Sequence, residues 1–535
     1  MNPKEILKFC LERGLLVDKE VLSVFSETED IESVKLVIEG IRNQTDRKII
    51  TKDLFNRNRE QVSKVFCTLP EENQRRLEKL KIRLGLSIEI SKEVSTYERG
   101  GAVFESNKNP KNTSENKSPA EEGFSDVRVT SANHSLNKKI EVKDFVGYFR
   151  ARFSEMRDIL QERSELNNLV SINKISGNNQ RLSLIGIVSD KKVTKNKNML
   201  LEVEDLTGKI RVLVSQSNES LYEKAEEVPL DSVVGFKGSG NKEIVFANDI
   251  IFPDSMIHER KKSPVEEFAL FTGDLHVGSK LFLKDNFLKF VEYLNGKVPN
   301  TPEARKIKYL FIVGDLIAGI GIYPGQEKEL SITDVESQFE TAAELLGKIR
   351  KDIKIIISPG NHDAIRIMEP QPAFDEKYAW PLYNLKNVYL TSNPAQVNIG
   401  AKKGFQGFNV LTYHGYSFHY YSNNIPRLIK EKATHKPDKI LHYLLKNRHL
   451  APTHTSTLYY PSARDELIIR NVPDIFVSSH THKSAVSYYN NILTISSSTW
   501  ESKTAFQEKM GNEPDFCKVP MFNLKTGAIK LLDFE

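Results

Sequence analysis

Five short apolar runs in the second half of this 535-residue chain each end in a loop that carries Asp, Asn or His, mostly beside glycine. Residues 268–271 lead into Thr272-Gly-Asp274-Leu-His276, and 308–313 into Gly314-Asp315. Residues 354–357 lead into Ser358-Pro-Gly-Asn361-His362-Asp363, 409–413 into His414-Gly415, and 474–478 into Ser479-His480-Thr-His482. In α/β proteins the carboxyl ends of strands are where ligand sites assemble. Carboxylate oxygen, amide oxygen and imidazole nitrogen suit a borderline-hard divalent ion such as Mn²⁺, with Fe or Zn as alternatives, and no thiolate is present to force zinc. Seven ligands with one carboxylate shared would fill two neighbouring ions and leave room for water and a phosphate. Two ions about 3.5–4 Å apart can activate a bridging hydroxide, neutralise phosphate oxygens and clamp an in-line displacement. A lone Gly-Asp is normally a turn, and His-x-His only places two imidazoles on one side of an extended segment. The weight lies in five such ends in succession.

The elements that must position these residues follow from periodicity. The apolar runs, joined by 492–495, read as buried strands, and 285–294 and 335–349 as amphipathic helices, which is an α/β layer architecture. Upstream, residues 181–252 switch to period two, with Asp205-Leu-Thr-Gly208 as a turn and Gly186 as a bend. Five or so short strands there predict a small Greek-key barrel of the oligonucleotide-binding (OB) type. It lacks a row of aromatics for stacking bases, so scaffolding is as good a role for it as binding single strands. A helix over 144–161 carries Phe145, Tyr148, Phe149, Phe153, Met156 and Leu160 as a packing face. Between Glu105 and Glu122 the only apolar side chain apart from proline is Ala120, too little to offset ordering entropy. The expected organisation is a helical interaction module over 1–90, a disordered linker over 91–140, a helix plus OB-fold domain over 141–255, and the α/β domain over 256–535.

Composition bounds the rest. Against 71 Asp+Glu stand 76 Lys+Arg, a surplus of five that permits a nucleic-acid partner without demanding one. The three cysteines, Cys10, Cys67 and Cys517, lie far apart, which excludes a disulfide framework and a zinc finger and fits a reducing, cytoplasmic setting. No apolar run approaches the roughly 20 residues of a membrane-spanning helix. Residues 427–448 carry Arg427, Lys430, Lys432, Lys436, Lys439, Lys446 and Arg448. A charge run is ordinarily a solvated face. Here it falls between His414 and His480, so Lys430, Lys432, Lys436, Lys439 and Arg448 are candidate contacts to a DNA backbone. The pairs Tyr420-Tyr421 and Tyr459-Tyr460 are either core or base-stacking residues.

The series Asp274-x-His276, Gly314-Asp315, Gly360-Asn361-His362-Asp363, His414-Gly415 and His480-x-His482 resembles the calcineurin-like metallophosphoesterase family. The resemblance implies a two-sheet α/β sandwich with a dinuclear site. Asp274, His276, Asp315 and His482 would hold one ion, and Asp315, Asn361, His414 and His480 the second. His362 would be the catalytic residue that acts on the leaving oxygen or stabilises the charged transition state. Over about residues 180–535, the OB-like segment and several stretches are similar to the small (B) subunits of replicative DNA polymerases. These include Pro359-Gly-Asn-His-Asp-Ala364, Glu369-Pro-Gln-Pro372, Arg448-His-Leu-Ala-Pro452, Asn471-Val-Pro-Asp-Ile-Phe476 and the stretch 499–507. The complete ligand set resembles the archaeal family-D small subunits in particular. That implies a 3′→5′ proofreading exonuclease using two divalent ions, expected to be Mn²⁺. It would work with a large catalytic polymerase subunit, on single-stranded DNA and primer–template ends, with the sliding clamp as a further partner and no membrane. Ser479 departs from the family, which usually has Gly before His-x-His. The alternatives are a non-catalytic scaffold subunit, and a phosphatase or phosphodiesterase on the same fold.

Overall fold

The computed structural model describes residues 3–18, nine positions between 21 and 50, residues 127–131, and 139–535 apart from 178 and 510. It forms two units, residues 1–119 and 120–535. In the first, the helix Pro3–Glu12 buries Ile6 and Cys10 and is followed by Gly14 at φ +69°. A two-residue strand β1 (Leu16–Val17) then pairs in parallel with β2 (Ile49–Ile50), which the purely helical expectation for 1–90 did not include. Val21, Phe25, Val34 and Ile38 are buried too, and most of the rest of that module, with Cys67, lies outside the described residues.

The second unit begins inside the expected linker. Val127–Ser131 forms strand β3, so these five residues are ordered, contrary to expectation, while most of 91–140 lies outside the described residues. The strand forms because Val127 and Val129 alternate with polar neighbours, and Val127 enters the main core. That short alternation was hidden by the polar composition around it. The helix Val142–Gln161 follows, capped by reciprocal contacts between Glu141 and Asp144.

Five strands, β4 (Gln180–Val193), β5 (Met199–Glu204), β6 (Lys209–Val214), β7 (Val233–Gly240) and β8 (Ile244–Ile251), close into a barrel in the order β4-β5-β6-β8-β7. Met199, Leu201, Val203, Ile210, Val212 and Val214 point inward at every second position, as period two requires. At Gly186 a Cβ would lie 2.3 Å from the Val203 side chain, so the expected bend is also a close approach of two strands.

The rest of the chain is a sandwich of two six-stranded sheets. The first comprises β9 (Phe268–Thr272), β10 (Ile307–Val313), β11 (Lys354–Ser358), β12 (Val388–Leu390), β18 (Lys518–Asn523) and β19 (Ile529–Asp533), ordered β12-β11-β10-β9-β18-β19. The second comprises β3, β13 (Ala395–Ile399), β14 (Phe408–Thr412), β15 (Ile475–Ser478), β16 (Ala485–Tyr489) and β17 (Ile492–Ser496), ordered β16-β17-β15-β14-β13-β3. Strands β9–β12 are parallel, as are β14, β15 and β17. Ala269, Phe271, Tyr309, Phe311 and Val313 face the inter-sheet core with Val410, Val477 and Ile495. Leu270, Leu310, Ile312, Ile355 and Ile357 face the opposite way, under the helices Lys284–Leu294 and Val335–Gly347. Burial on both faces explains why these strands read as unbroken apolar runs. The outer face of the second sheet is covered by the insertion between His414 and His480, whose helix Asp438–Asn447 packs Ile440, Leu441, Tyr443 and Leu444 inward.

Barrel and sandwich are joined by a buried ion pair. Arg152, on the helix Val142–Gln161, donates through Nε to Asp465 Oδ2 at 2.6 Å, with the two side chains 1% and 0% exposed. Its Nη1 donates to the carbonyls of Pro452 (2.6 Å) and Asp231 (3.2 Å). Asp465 accepts from Tyr148 Oη at 2.6 Å, His449 Nε2 at 2.8 Å and the Leu467 amide at 3.0 Å. Burial alone would lift the Asp465 carboxyl, but Arg152 and His449 hold it far below the usual carboxylate range. Removing one member of such a pair leaves an uncompensated buried charge. Arg152→Met should therefore destabilise the second unit by about 3–5 kcal/mol, measured by denaturant unfolding; a loss under about 1 kcal/mol would contradict this account.

Candidate metal centre

The seven candidate ligands and His362 sit on the loops that leave the carboxyl ends of β9, β10, β11, β14 and β15. Asp274, His276, Asp315, His480 and His482 all have positive φ, between 47° and 68°. Left-handed backbone costs an L-residue about 1–2 kcal/mol, so these turns persist only where contacts enforce them. The Asp274 amide donates to Gly314 O and the His276 amide to Asp315 O, each at 3.1 Å. The Asp274 carbonyl accepts from the Trp500 amide (3.0 Å) and Thr499 Oγ1 (2.9 Å). Trp500 is fully buried and donates through Nε1 to Thr272 Oγ1 at 2.7 Å, so the stretch 499–507 is a brace behind the first ligand loop.

Two glycines let the loops meet. Gly314 has φ +77°, and a Cβ there would lie 1.9 Å from His414 Nδ1. A Cβ at Gly360 would lie 2.2 Å from Asp315 Oδ1.

Asp315 is at the centre. Its Oδ1 accepts from the His362 amide at 2.8 Å, while Oδ2 lies 3.3 Å from His414 Nε2 and 3.9 Å from both His276 Nε2 and His362 Nε2. On one side, His276 Nε2 and His482 Nε2 face each other at 3.2 Å, with Asp274 Oδ2 3.8 Å from His482 Nε2. On the other, His414 Nε2 lies 2.9 Å from Asn361 Oδ1 and 3.2 Å from His480 Nδ1. Asp274 with His276 and His482, and Asp315 with His414 and His480, each place their ligand atoms within 4.8 Å of one another. Asp274 Oδ1 is buried without a hydrogen-bond partner. An orphaned carboxylate oxygen among converging imidazole nitrogens fits a divalent cation, since a buried anionic atom needs positive charge beside it.

Three lowered imidazoles agree with that fit. Burial, reinforced by neighbouring histidines, pushes His276 and His482 down to about 3 and holds His480 well below its usual value, which keeps their lone pairs free. Burial also pulls on His414, but Asp315, Asp274 and Asp363 outweigh it and lift that imidazole to about 9. Burial raises Asp274 well above the usual carboxylate range. In Asp315 the same penalty is overcome by His414 and His362, and its carboxyl is held well below that range. Asp363 is not a ligand; it accepts from the amides of Gly360 (2.8 Å) and Ile317 (3.0 Å) and fixes the loop that carries Asn361 and His362.

Ser479 adopts no left-handed conformation, so a side chain is tolerated where glycine was expected. Its hydroxyl donates to the Val313 carbonyl, which leaves its lone pair to accept from His414 Nδ1 at 3.0 Å. That contact directs His414 Nε2 toward Asp315 and Asn361. His362 is set in the same way: Nδ1 lies 2.8 Å from the Ala318 carbonyl and donates to it, turning Nε2 toward Asp315.

A cavity of about 530 Å³ opens over these groups, lined by His276, Asp315, His362, His480 and His482. Its walls include residues that motif spacing did not single out: Tyr323, His435, Glu501 and Gln507. Gln507 Nε2 lies 2.9 Å from His482 Nδ1. Such residues carry no spacing signal, because they reach the site from separate loops.

Of the candidate DNA contacts, Lys430, Lys432 and Lys436 are exposed and make no salt bridge among the described residues. Lys439 pairs with Asp438 at 3.5 Å. The Arg448 guanidinium donates to the carbonyls of Ile469 and Arg470. Arg427 and Lys446, from the same run, pair with Glu227 at 3.1 and 2.6 Å. Tyr421, Tyr459 and Tyr460 are buried, which places them in the core.

Residues 269–487 match the family model for the (B) subunits of DNA polymerases alpha and epsilon. The chain is 38% identical over 421 residues to the DNA polymerase II small subunit of Methanothermobacter thermautotrophicus, covering 78% of this chain and 84% of that one. It is 38% identical over 407 residues to the protein of that name from Pyrococcus furiosus, covering 74% of this chain and 64% of that longer relative. Among solved structures, an archaeal phosphodiesterase overlaps 50% of this chain and 98% of its own at 11% identity and a TM-score of 0.25, too slight a likeness for functional argument.

Ser479→Ala removes the partner of His414 Nδ1 without touching a ligand. Mn²⁺ affinity measured by calorimetry should fall about tenfold; an unchanged affinity would show that the hydroxyl does not orient the imidazole.

Proposed function

The chain belongs to the small subunits of archaeal DNA polymerase II, the family-D enzyme, and from that premise we propose that it is the 3′→5′ proofreading exonuclease of a two-subunit replicative polymerase. The observation that carries this reading is the convergence of the seven candidate ligands and His362, four of the seven lining one cavity with His362, while Asp274 Oδ1 has no hydrogen-bond partner. A scaffold has no need to keep such a cluster of buried charge. The polymerase active site would lie on the large subunit, which this family membership implies as partner.

Asp274, His276, Asp315 and His482 would hold one divalent ion, and Asp315, Asn361, His414 and His480 the other, with Mn²⁺ the ion expected. Bound there, two such ions supply Lewis acidity toward phosphate oxygens and lower the pKa of water. The chain's own residues do the rest. Asp315 holds the two halves of the site in register through contacts to His362, His414 and His276. In hydrolysis of the terminal phosphodiester, the bond from phosphorus to the 3′ oxygen of the penultimate nucleotide breaks and that oxygen must gain a proton. His362, with Nδ1 held by the Ala318 carbonyl and Nε2 near the Asp315 carboxylate, is placed to hydrogen-bond this leaving oxygen.

The barrel upstream, read as an OB fold, serves either as scaffold or to bind single-stranded DNA. Thr434 and His435 line the cavity, so the flanking Lys432 and Lys436, with Lys430, lie where a strand entering the site would bring its phosphates. Neutralising all three should weaken single-strand binding and reduce the slope of log affinity against log salt by about 2. An unchanged slope would place the DNA path elsewhere.

The central test is a gel assay of the chain, alone and with its large subunit, on a labelled single strand and a mismatched primer–template. Metal-dependent stepwise loss from the 3′ end, abolished in Asp315→Ala and in His362→Ala, is the expected outcome. Digestion that survives Asp315→Ala would refute the assignment. No digestion even by the complex would mean a non-catalytic scaffold.

A further inference from the structure

Beside the catalytic cavity, the loop Ala318-Gly-Ile320-Gly-Ile322-Tyr-Pro-Gly325 displays three large apolar side chains to solvent. Ile320 and Ile322 are each 36% exposed and Tyr323 is 40% exposed. Glycine-rich loops with exposed isoleucines are normally loose, but this one is held from beneath by two buried glutamines. Gln338, fully buried, accepts from the Gly319 amide at 2.8 Å and donates to the Gly319 carbonyl at 3.3 Å and to the Ile332 carbonyl at 2.8 Å. Gln326, 2% exposed, donates to the Ala318 carbonyl at 2.9 Å and accepts from the Ile322 amide at 3.0 Å. Tyr323 is fixed in turn, its hydroxyl donating to Glu329 at 2.6 Å. The base of the loop is also the base of His362: the Ala318 carbonyl accepts from His362 Nδ1, and a Cβ at Gly319 would lie 2.3 Å from the His362 carbonyl oxygen.

The fold therefore holds an apolar tip out of its own core, two residues along the chain from an anchor of the catalytic imidazole. Its ligand should present an apolar face to the tip and reach the cavity as well, because Tyr323 and Pro324 line that cavity while Ile320 and Ile322 stand outside its lining. A nucleobase meets both conditions, and base stacking on aromatic and apolar side chains is sequence-tolerant, as an exonuclease needs. A protein partner would require the apolar surface but not its continuity with the cavity.

We propose that Ile320, Ile322 and Tyr323 form the seat for the unpaired base at the 3′ end of the strand, so that this loop makes the enzyme select an unstacked terminus. The inference rests on the exonuclease reading above and names a determinant of its specificity.

The test compares kcat/KM of the assembled two-subunit polymerase on two single strands, identical except that one carries a tetrahydrofuran abasic residue at its 3′ terminus. Wild type should prefer the base-bearing end by about tenfold. Ile320→Ser combined with Ile322→Ser, and separately Tyr323→Ala, should bring the ratio close to one, while Tyr323→Phe, which keeps the ring, should retain it. Because the ratio is internal to each variant, a general loss of activity cannot imitate the result. Equal rates on both ends in wild type, or a ratio unmoved by the serine pair and by Tyr323→Ala, would overturn the proposal. If the variants instead lost co-purification with the large subunit at an unmoved ratio, the tip would be a protein-docking surface. Failure of wild type to digest either strand would refute the exonuclease reading itself, and the seat with it.

Discussion

The Asp315 carboxylate, fully desolvated and ringed by imidazoles, is the interaction on which the rest of this structure depends. A buried anion is tolerable only if hydrogen bonds and positive charge surround it. Here the His362 amide and the raised His414 imidazole meet that requirement, and nitrogens of His276 and His362 stand 3.9 Å away. Those groups come from loops after β9, β11 and β14 and Asp315 from the loop after β10, so the two sheets must be stacked with their strand ends aligned for the carboxylate to be satisfied at all. The left-handed residues and the glycines at 314 and 360 are consequences of the same demand, since each loop must turn within one or two residues and approach its neighbours without a Cβ between them.

Supports for this centre recur one layer further out. Ser479 directs His414, Ala318 directs His362, and Trp500 with Thr499 holds the backbone of Asp274. None of these touches a ligand position in sequence except Ser479, yet each decides where an imidazole nitrogen or a carboxylate oxygen lies. At a larger scale Arg152 does the same for the barrel. Its contacts to Asp231, Pro452 and Asp465 tie barrel and insertion to one helix. The insertion brings Thr434 and His435 to the cavity.

How far the chain could be read in advance depended on whether its pattern was local. The runs ending at residues 271, 313, 357, 413, 478 and 495 became β9, β10, β11, β14, β15 and β17 within a residue at the end that matters, because doubly buried parallel strands are apolar throughout and stop abruptly. The barrel was legible for the complementary reason, strict alternation. Strands β12, β13, β16, β18 and β19 were missed: β12 is only three residues long, Tyr488 and Tyr489 in β16 are half-buried, and Pro520 interrupts β18. Strand β3 was missed because five residues of alternation in a long polar stretch outweigh nothing until a partner strand is present. In the basic run 427–448, side chains alike in sequence took different roles, Arg448 bonding carbonyls and Lys432 facing solvent. Charge says only that a side chain wants a partner, not which one.

What the sequence by itself determined is a candidate chemistry: oxygen and nitrogen donors at five strand ends, in an order that resembles a known ligand set. These are properties of residue type and strand period, and both survive without knowledge of the fold. Only the tertiary structure decided the geometry. That Asp315 sits between the two halves of the site, that a serine hydroxyl can orient His414, and that Tyr323 shares a cavity with His362 all depend on contacts between segments as much as 206 residues apart. Hydrogen bonds and burial act over a few ångströms of space. Where the chain is brought that close is set by the packing of the two sheets, which no local run of residues encodes.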